Sequence, residues 1–257
     1  SIFIDRRNSA GFFACCSRRL QEIIKYINKY KKLPISIDTS KQFKIYKKKE
    51  NTDITFDFFK SYQDININYE LPIKYSKKFH YFNYANLDYS KICPIIKKYF
   101  SVSKRVLLRK KYFLKKYKID VSQHIAIYYR GTDKCQETAL GSFDDYYLKT
   151  KEILDKNPNL KLLLVSDSQY FLDYFKKKYK KVTIITENKS SYTDKGIHKE
   201  NSRVQNYDDI SNLLPTFLIV SKCQHIIFGC SNCSMWIVLF RGNCQNVSQC
   251  SARGKFF

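Results

Sequence analysis

The chain has 257 residues and a formal net charge of +24 at neutral pH. Hydrophobic residues make up 44% of it and aromatic residues 16%, which is more apolar surface than a disordered protein carries. Its apolar runs have the length of β-strands and are too short to cross a bilayer. The length and the apolar content of the chain favour one large globular domain or two smaller ones.

The first half of the chain predicts a β-α-β start followed by irregular structure. Residues 1–5 and 33–38 read as short strands, and residues 12–30 between them place their apolar side chains at helical spacing. Residues 41–100 are rich in Tyr, Phe, Lys and Asn, which predicts short helices and loops. Residues 102–118 predict a basic amphipathic helix with one face packed and the other in solvent, rather than a nucleic-acid-binding helix.

The second half alternates cleanly between strand and helix patterns. The predicted strands are residues 124–131, 160–168, 182–187 and 225–229, and the predicted helices are residues 143–155, 170–179, 208–223 and 233–240. Strands alternating with helices of about 10 to 15 residues indicate a parallel sheet with helices on both faces. We therefore predict two lobes, formed by residues 1–118 and 119–257.

Polar residues follow the first predicted strand of the second lobe. Arg130, Gly131, Asp133 and Lys134 stand directly after its apolar residues. Ligands of open parallel sheets bind beyond the carboxyl ends of the strands. An arginine can hold a phosphate through two nitrogen atoms, and Gly131 would keep the approach open. The alternative is that Arg130 is a surface residue.

The last predicted strand also ends in polar residues. Ser231 and Asn232 stand where the following helix begins. Their side chains and the free backbone N–H groups of a helix N-terminus would form a cradle for an anion. Together with Arg130, this cradle predicts a diphosphate site at one edge of the sheet. The alternative is that Ser231 only caps the helix.

These two strand ends resemble the fucosyltransferase superfamily, which includes α1,2-, α1,6- and protein O-fucosyltransferases. The residues RGTDK, 130–134, are similar to its His-x-Arg-(Arg or Gly)-Thr-Asp motif. Residues 221–242 resemble the α1,2 group's pattern of Ser-x-Cys, a short apolar strand and Ser-(Thr, Ser or Asn)-x-Ser-x-Trp. The loop at Gly11 is similar to the glycine-rich loop that opens these enzymes. The likeness covers residues 119–242 well and the first half in outline.

The resemblance implies an α/β, GT-B-like fold with two Rossmann-like lobes, each a parallel sheet flanked by helices. It implies a glycosyltransferase that moves a sugar to a glycan or glycoprotein acceptor. The implied donor is GDP-fucose or another GDP-sugar. The implied reaction inverts the sugar carbon and uses no metal or other cofactor. Residues 1–118 would face the acceptor and residues 119–257 the donor. Arg130 would be catalytic and hold the β-phosphate, and Asp133 would brace its loop. The implied donor-binding residues are Arg130, Gly131, Asp133, Lys134, Ser231, Asn232 and Gly11.

Several positions depart from the family's pattern. Tyr128 stands where the family usually has His. Thr216 stands where many members carry an Asp that contacts the guanine, and Asp208 and Asp209 are out of register with that position. No clear catalytic base is present in the first half; Asp5 is one candidate, and a loop or cap role is the alternative. These departures leave a catalytically inactive relative as a further interpretation.

Two other function classes stay open. The charge of +24 would suit a basic nucleic-acid-binding protein, but the lysines are scattered among Ile, Asn and Tyr as a general compositional trend, so nucleic acid is not the expected partner. Cys230 and Cys233 form a C-x-x-C pair between strand and helix, which is typical of redox sites. With Cys244 and Cys250 they would make a zinc site of poor spacing.

The cysteines also bear on the compartment. Nine cysteines without an obvious pairing pattern favour mostly free thiols and a reducing compartment such as the cytoplasm. Because the chain begins at Ser1 without Met, an upstream targeting segment is left open.

Overall fold

The structure is a computed structural model that describes residues 1–4, 10–50, 52–62, 67 and 71–257. Its strands are β1 (Ile2–Phe3), β2 (Ile37–Asp38), β3 (His124–Tyr129), β4 (Lys161–Ser166), β5 (Val182–Ile184), β6 (His225–Gly229) and β7 (Val247–Cys250). Its α-helices are α1 (Phe12–Tyr30), α2 (Thr55–Phe58), α3 (Tyr89–Tyr99), α4 (Lys104–Lys116), α5 (Phe143–Lys156), α6 (Gln169–Lys178), α7 (Ile197–Glu200), α8 (Arg203–Val220) and α9 (Asn232–Arg241).

Five strands form one parallel sheet in the order β5-β4-β3-β6-β7. The chain runs outward from β3 through β4 to β5 and then returns to the other side of β3 with β6 and β7. The order therefore reverses between β3 and β6. At such a switch point the loops after the two strands leave in opposite directions and open a crevice at the carboxyl edge of the sheet.

Both faces of this sheet are covered. Along β3, Ile125, Ile127 and Tyr129 belong to a core shared with α5 and α6. The alternate residues Ala126 and Tyr128 belong to a second core shared with α1, α8 and α9. A strand buried on both faces needs a nearly continuous apolar sequence, which β3 has. The predicted α/β fold with a parallel sheet flanked by helices is confirmed.

The first half contributes a two-stranded parallel sheet of β1 and β2, joined by α1. Helix α1 has the predicted bounds, and short helical turns and loops precede α3, as expected. The core on this side continues into the second half: the buried ring of Trp236 lies 6.3 Å from that of Phe13 and 4.8 Å from that of Phe100. The division into two lobes at residue 118 stays a prediction.

The element predictions differ from the structure in several places. The predicted strands at residues 33–38 and 182–187 are shorter, Ile37–Asp38 and Val182–Ile184. Strand β7 was missed because its sequence lacks alternating apolar residues; its buried Gln249 instead donates from Nε2 to the carbonyl oxygen of Phe82 at 2.8 Å. Helix α8 begins five residues earlier than predicted, because Ser202 and Gln205 form a capping box ahead of the apolar residues. Among the described residues no helix is long and apolar enough to cross a membrane.

Candidate functional site

A cavity of about 450 Å³ lies at the carboxyl edge of the large sheet, at the switch point. Its walls are the first turn of α1, the first turn of α9 and the loop after β3, and part of α8 closes it. Six of the seven predicted site residues line it: Gly11, Arg130, Asp133, Lys134, Ser231 and Asn232. The fold therefore brings together residues that are up to 221 positions apart in the sequence.

Arg130 is held in one orientation in this cavity. Its Nη2 atom donates to Oδ1 of Asp133 at 2.9 Å, and its Nη1 atom donates to Sγ of Cys233 at 3.4 Å. The buried Nε atom lies 4.0 Å from Oδ2 of Asp167 and has no hydrogen-bond partner within the described part of the chain. About a fifth of the side chain, 21%, is exposed. The guanidinium is thus positioned by its own chain, and two of its five N–H groups are used in doing so. The second N–H of each Nη atom is left to donate to a ligand.

Asp133 holds the Arg130 side chain through the hydrogen bond between its Oδ1 atom and Nη2. Burial alone would raise the pKa of its carboxyl, but the ion pair and hydrogen bond with Arg130, together with His198 and Lys199, outweigh burial and lower the pKa below its ordinary value. The carboxylate is therefore charged at neutral pH. Its Oδ2 atom lies 3.9 Å from Nζ of the exposed Lys199.

We expect Asp133→Asn to lower the free energy of unfolding by about 1.5–3 kcal/mol at neutral pH, since it removes a charged hydrogen bond to Arg130. A carboxyl whose pKa is lowered by folding stabilises the fold above its unfolded pKa, and that stabilisation is lost as the pH falls through the folded value. The difference between wild type and variant should hold from about pH 7 to pH 5 and shrink below pH 3.8. Urea unfolding across this range measures it; a difference that stays constant below pH 3.8 would contradict the ion pair.

Asp167, at the end of β4, fixes the backbone beside Arg130. Its Oδ1 atom accepts from the amide of Gly131 at 2.8 Å, and its Oδ2 atom accepts from Oγ1 of Thr132 at 2.7 Å. The sequence shows Asp167 as part of a polar strand end but gives it no role. Gly131 itself does not line the cavity, and its amide is occupied by Asp167 rather than open to a ligand.

The space around Gly131 has no room for a side chain. A Cβ atom there would lie 2.5 Å from Cε1 of Tyr129 and 3.0 Å from Cβ of Ser168. We expect Gly131→Ala to lower the free energy of unfolding by about 1–3 kcal/mol through overpacking. Gly11→Ala is the matched control, because the nearest atom to its Cβ would be 3.9 Å away; it should cost less than about 1 kcal/mol. Urea unfolding compares the two, and equal losses would rule out crowding as the cause.

Lys134 lines the cavity with most of its charge compensated. Its Nζ atom lies 2.5 Å from Oε2 of Glu137 and 5.0 Å from the centre of the Tyr81 ring. Over the whole described lining, four cationic side chains face four carboxylates. Any preference of the cavity for an anion must therefore come from backbone dipoles as well as from side chains.

Ser231 is used as a helix cap. Its Oγ atom accepts from the amide of Ser234 at 3.0 Å, and its own amide donates to the buried hydroxyl of Tyr84 at 3.0 Å. Both groups that the sequence offers to an anion therefore have partners within the protein. This geometry favours the capping interpretation of Ser231 over direct contact with a ligand.

Asn232 begins α9 and keeps its donors free. Its Oδ1 atom accepts from the hydroxyl of Ser17 on α1 at 2.8 Å, and that hydroxyl in turn accepts from Nε1 of Trp236 at 2.9 Å. With Oδ1 fixed, the amide nitrogen of the Asn232 side chain is left to donate. The backbone N–H groups of Asn232 and Cys233 also lack partners in the described part of the protein.

A second helix N-terminus faces the same cavity. Gly11 precedes α1, and Gly11, Phe12 and Phe13 line the cavity. The Phe12 amide donates to the hydroxyl of Tyr46 at 3.0 Å, whereas the Phe13 amide has no partner among the residues described. Each helix N-terminus carries about half a positive charge. Two of them beside Arg130 make the cavity suited to a phosphate-sized anion.

The structure also places residues here to which the sequence assigned no role. His198 lines the cavity, and burial together with Arg130 lowers the pKa of its imidazole, which is neutral at pH 7 and able to accept a proton. Asp209 on α8 also lines it, and burial raises the pKa of its carboxyl despite Lys189 at 3.1 Å. Asn206, Asp209, Ile210 and Leu213 form the helical stripe of α8 that faces the cavity, a spacing that the sequence does contain.

Three further positions that the sequence raised are placed differently from one another. Thr216 is fully buried away from the lining and donates to the carbonyl oxygen of Asn212 at 2.9 Å. Tyr128 is buried and lines the cavity. Asp5, the candidate base, lies outside the described residues.

The cysteines stand as separate thiols. All nine are free, and Sγ of Cys230 accepts from Nε2 of Gln249 at 3.1 Å while Sγ of Cys233 contacts Arg130. Within the described ranges no group of three or more His, Cys, Asp or Glu side chains is arranged to hold a metal ion.

Comparison with known proteins gives a weak structural likeness. No protein-family model matches the sequence, and no curated protein does. The chain is similar to the NodZ α-1,6-fucosyltransferase co-crystallised with GDP, at 11% identity and a TM-score of 0.37, over 61% of this chain and 47% of that one. It is similar to the fucosyltransferase NodZ from Bradyrhizobium at 12% identity and a TM-score of 0.36, over 61% and 48%. The chain spans about half the length of these enzymes, and similarity at this level says nothing about a reaction.

Proposed function

We propose that the chain is a glycosyltransferase that binds a nucleotide-sugar donor in the cavity and moves its sugar to a glycan or glycoprotein acceptor. The proposed donor is GDP-fucose or another GDP-sugar. The observation that supports the proposal is the Arg130 guanidinium, fixed by Asp133 at the switch point of the sheet, between the N-termini of α1 and α9. This is the position in an open parallel sheet where nucleotides bind.

The proposed chemistry needs negative charge to be stabilised on the departing diphosphate. When the bond between the anomeric carbon and the phosphate oxygen breaks, the electron pair stays on that oxygen, and the β-phosphate gains charge. Arg130 and the free amides of Asn232 and Cys233 are donors already aimed at one space, so they stabilise that charge without reorganising. In this proposal they do the work for which other enzymes use a metal ion. The acceptor hydroxyl attacks the opposite face of the sugar with inversion, and its proton passes to solvent.

Thermal unfolding with ligands tests this proposal. GDP, UDP, ADP and a short DNA duplex are added separately at two salt concentrations, with and without a chelator. We expect GDP to raise the unfolding temperature both with and without the chelator. A ligand present at about 100 times its Kd stabilises the folded state by about 2.7 kcal/mol. No shift with any nucleotide, but a salt-sensitive shift with the duplex, would contradict the proposal and favour the nucleic-acid-binding interpretation.

A second assay separates an active enzyme from an inactive relative. Release of GDP from GDP-fucose is followed with and without a panel of glycan acceptors. Turnover is expected with at least one acceptor class. Stabilisation by GDP without any release would show that the nucleotide site is intact but that the chain is a catalytically inactive relative.

A further inference from the structure

Helix α4 presents two different faces. Val106 and Phe113 are buried and pack it onto the rest of the protein. The opposite face is a single exposed stripe, because its positions are three or four residues apart. This outward stripe consists of Lys104, Leu107, Leu108, Lys111, Tyr112 and Lys115.

The leucines are the informative part of the stripe. Leu107 is 42% exposed and Leu108 58%, with Tyr112 beside them at 47%. In a chain so rich in lysine, exposed lysines are expected on every solvated face, but adjacent exposed leucines in the middle of an outward face are not. Helix α4 contains no acidic residue, so its lysines have no carboxylate partner on their own helix. Helix α5 differs, because its Lys149 forms an ion pair with Glu152 at 2.5 Å.

A groove of about 610 Å³ runs beside the stripe, between α4 and α8. Leu108 and Tyr112 of the stripe line it together with Arg105 and Arg109. Arg105 donates to the hydroxyls of Tyr207 at 2.7 Å and Ser211 at 3.0 Å, and Arg109 donates to Oδ1 of Asn212 at 2.8 Å. In the described part of the chain neither guanidinium forms an ion pair with a carboxylate.

We propose that the outward stripe of α4 is a docking surface for a membrane that contains anionic lipids. Leu107, Leu108 and Tyr112 enter the boundary between headgroups and acyl chains, and the flanking lysines and the arginines of the groove bind lipid phosphates. This is the pattern of a helix that lies in the membrane surface. The proposal is independent of the reaction proposed for the cavity.

Two other occupants fit the stripe less well. A second copy of the chain would bring Lys104, Lys111 and Lys115 against the same lysines, and each copy carries a net charge of +24. Nucleic acid would engage the lysines through its phosphates, but two adjacent leucines would gain nothing from that contact. An anionic lipid surface is the partner that uses both the charge and the apolar side chains.

Vesicle flotation of the full chain tests the proposal. Vesicles of phosphatidylcholine alone are compared with vesicles containing about 30% phosphatidylserine at about 0.1 M salt. We expect binding only to the anionic vesicles, and a fall of at least about tenfold in the partition coefficient for the double variant Leu107→Gln, Leu108→Gln. Leu148→Gln on α5 is the matched control, because Leu148 is 59% exposed; it should bind as wild type does.

A second pair of variants separates a specific surface from general charge. Replacing Lys104, Lys111 and Lys115 with Gln removes three charges from the stripe, and replacing the exposed Lys177, Lys180 and Lys181 removes three charges elsewhere. Only the first set should weaken binding. Three results would each overturn the proposal. The first is equal weakening of vesicle binding by the two lysine sets, and the second is a leucine variant that binds vesicles as wild type does. The third result is a wild-type protein that binds no vesicles but forms a dimer, which the leucine substitutions dissociate.

Discussion

Arg130→Ala should abolish the stabilisation by GDP and lower the rate of donor cleavage by about 10²- to 10³-fold, the usual effect of removing one aimed donor from a developing negative charge. Two contacts fix the guanidinium in the cavity, one with Asp133 at 2.9 Å and one with Cys233 at 3.4 Å. Because Arg130→Ala also leaves Asp133 without its main partner, each ligand-induced shift is compared with the same variant's own unfolding temperature.

Arg130→Lys separates charge from geometry. A lysine keeps the positive charge but offers a single ammonium in place of a planar fork, and it cannot contact Asp133, Cys233 and a phosphate at once. We expect weak GDP binding to persist and the rate of cleavage to stay close to that of Arg130→Ala. Measured turnover of donor, alongside the GDP-induced shift, distinguishes these two effects.

The control for Arg130 is an arginine outside the cavity. Arg253 is exposed and does not line the cavity, so Arg253→Ala removes the same charge from the molecule. If Arg253→Ala reduced the GDP-induced shift as much as Arg130→Ala, the protein would be binding nucleotide through its general positive charge rather than through a site.

The sequence predicts the large sheet well because each of its main strands is a short apolar run between polar turns. Strand β3 is the clearest case, since both of its faces are buried and its six residues carry no charged side chain apart from the titratable His124. The same logic predicts that Arg130 and Asn232 lie at one edge, because the carboxyl ends of parallel strands meet there. Strand β7 obeys a different rule: its Gln249 is buried by hydrogen bonds to residues 82 and 84, which no local pattern reveals.

The contribution of the first half to the site could not be predicted from the sequence. Tyr84 reaches the amide of Ser231 from 147 positions away, and Tyr46 reaches the amide of Phe12 across 34. Both contacts depend on how irregular segments fold back onto the helix N-termini, and such segments have no periodicity to interpret. His198 enters the cavity for the same reason, on a short helix between β5 and α8.

Trp236→Ala should lower the free energy of unfolding by about 3–5 kcal/mol, the usual cost of deleting a fully buried aromatic side chain. The indole joins the two halves of the chain: its ring packs against Phe13 and Phe100, and its Nε1 atom donates to Ser17 at 2.9 Å. Urea unfolding followed by circular dichroism measures the loss.

Trp236→Phe is the graded control for that experiment. It keeps most of the aromatic contact with Phe13 and Phe100 but removes the donor to Ser17. We expect a smaller loss, of which about 0.5–1.5 kcal/mol comes from that hydrogen bond, because the Ser17 hydroxyl still donates to Asn232. Because one core runs through both halves, wild type and both variants should unfold in a single transition. The opposite result would be two unfolding transitions, with Trp236→Ala shifting the midpoint of only one of them. Residues 1–118 and 119–257 would then unfold independently, and the shared core would not couple the predicted lobes.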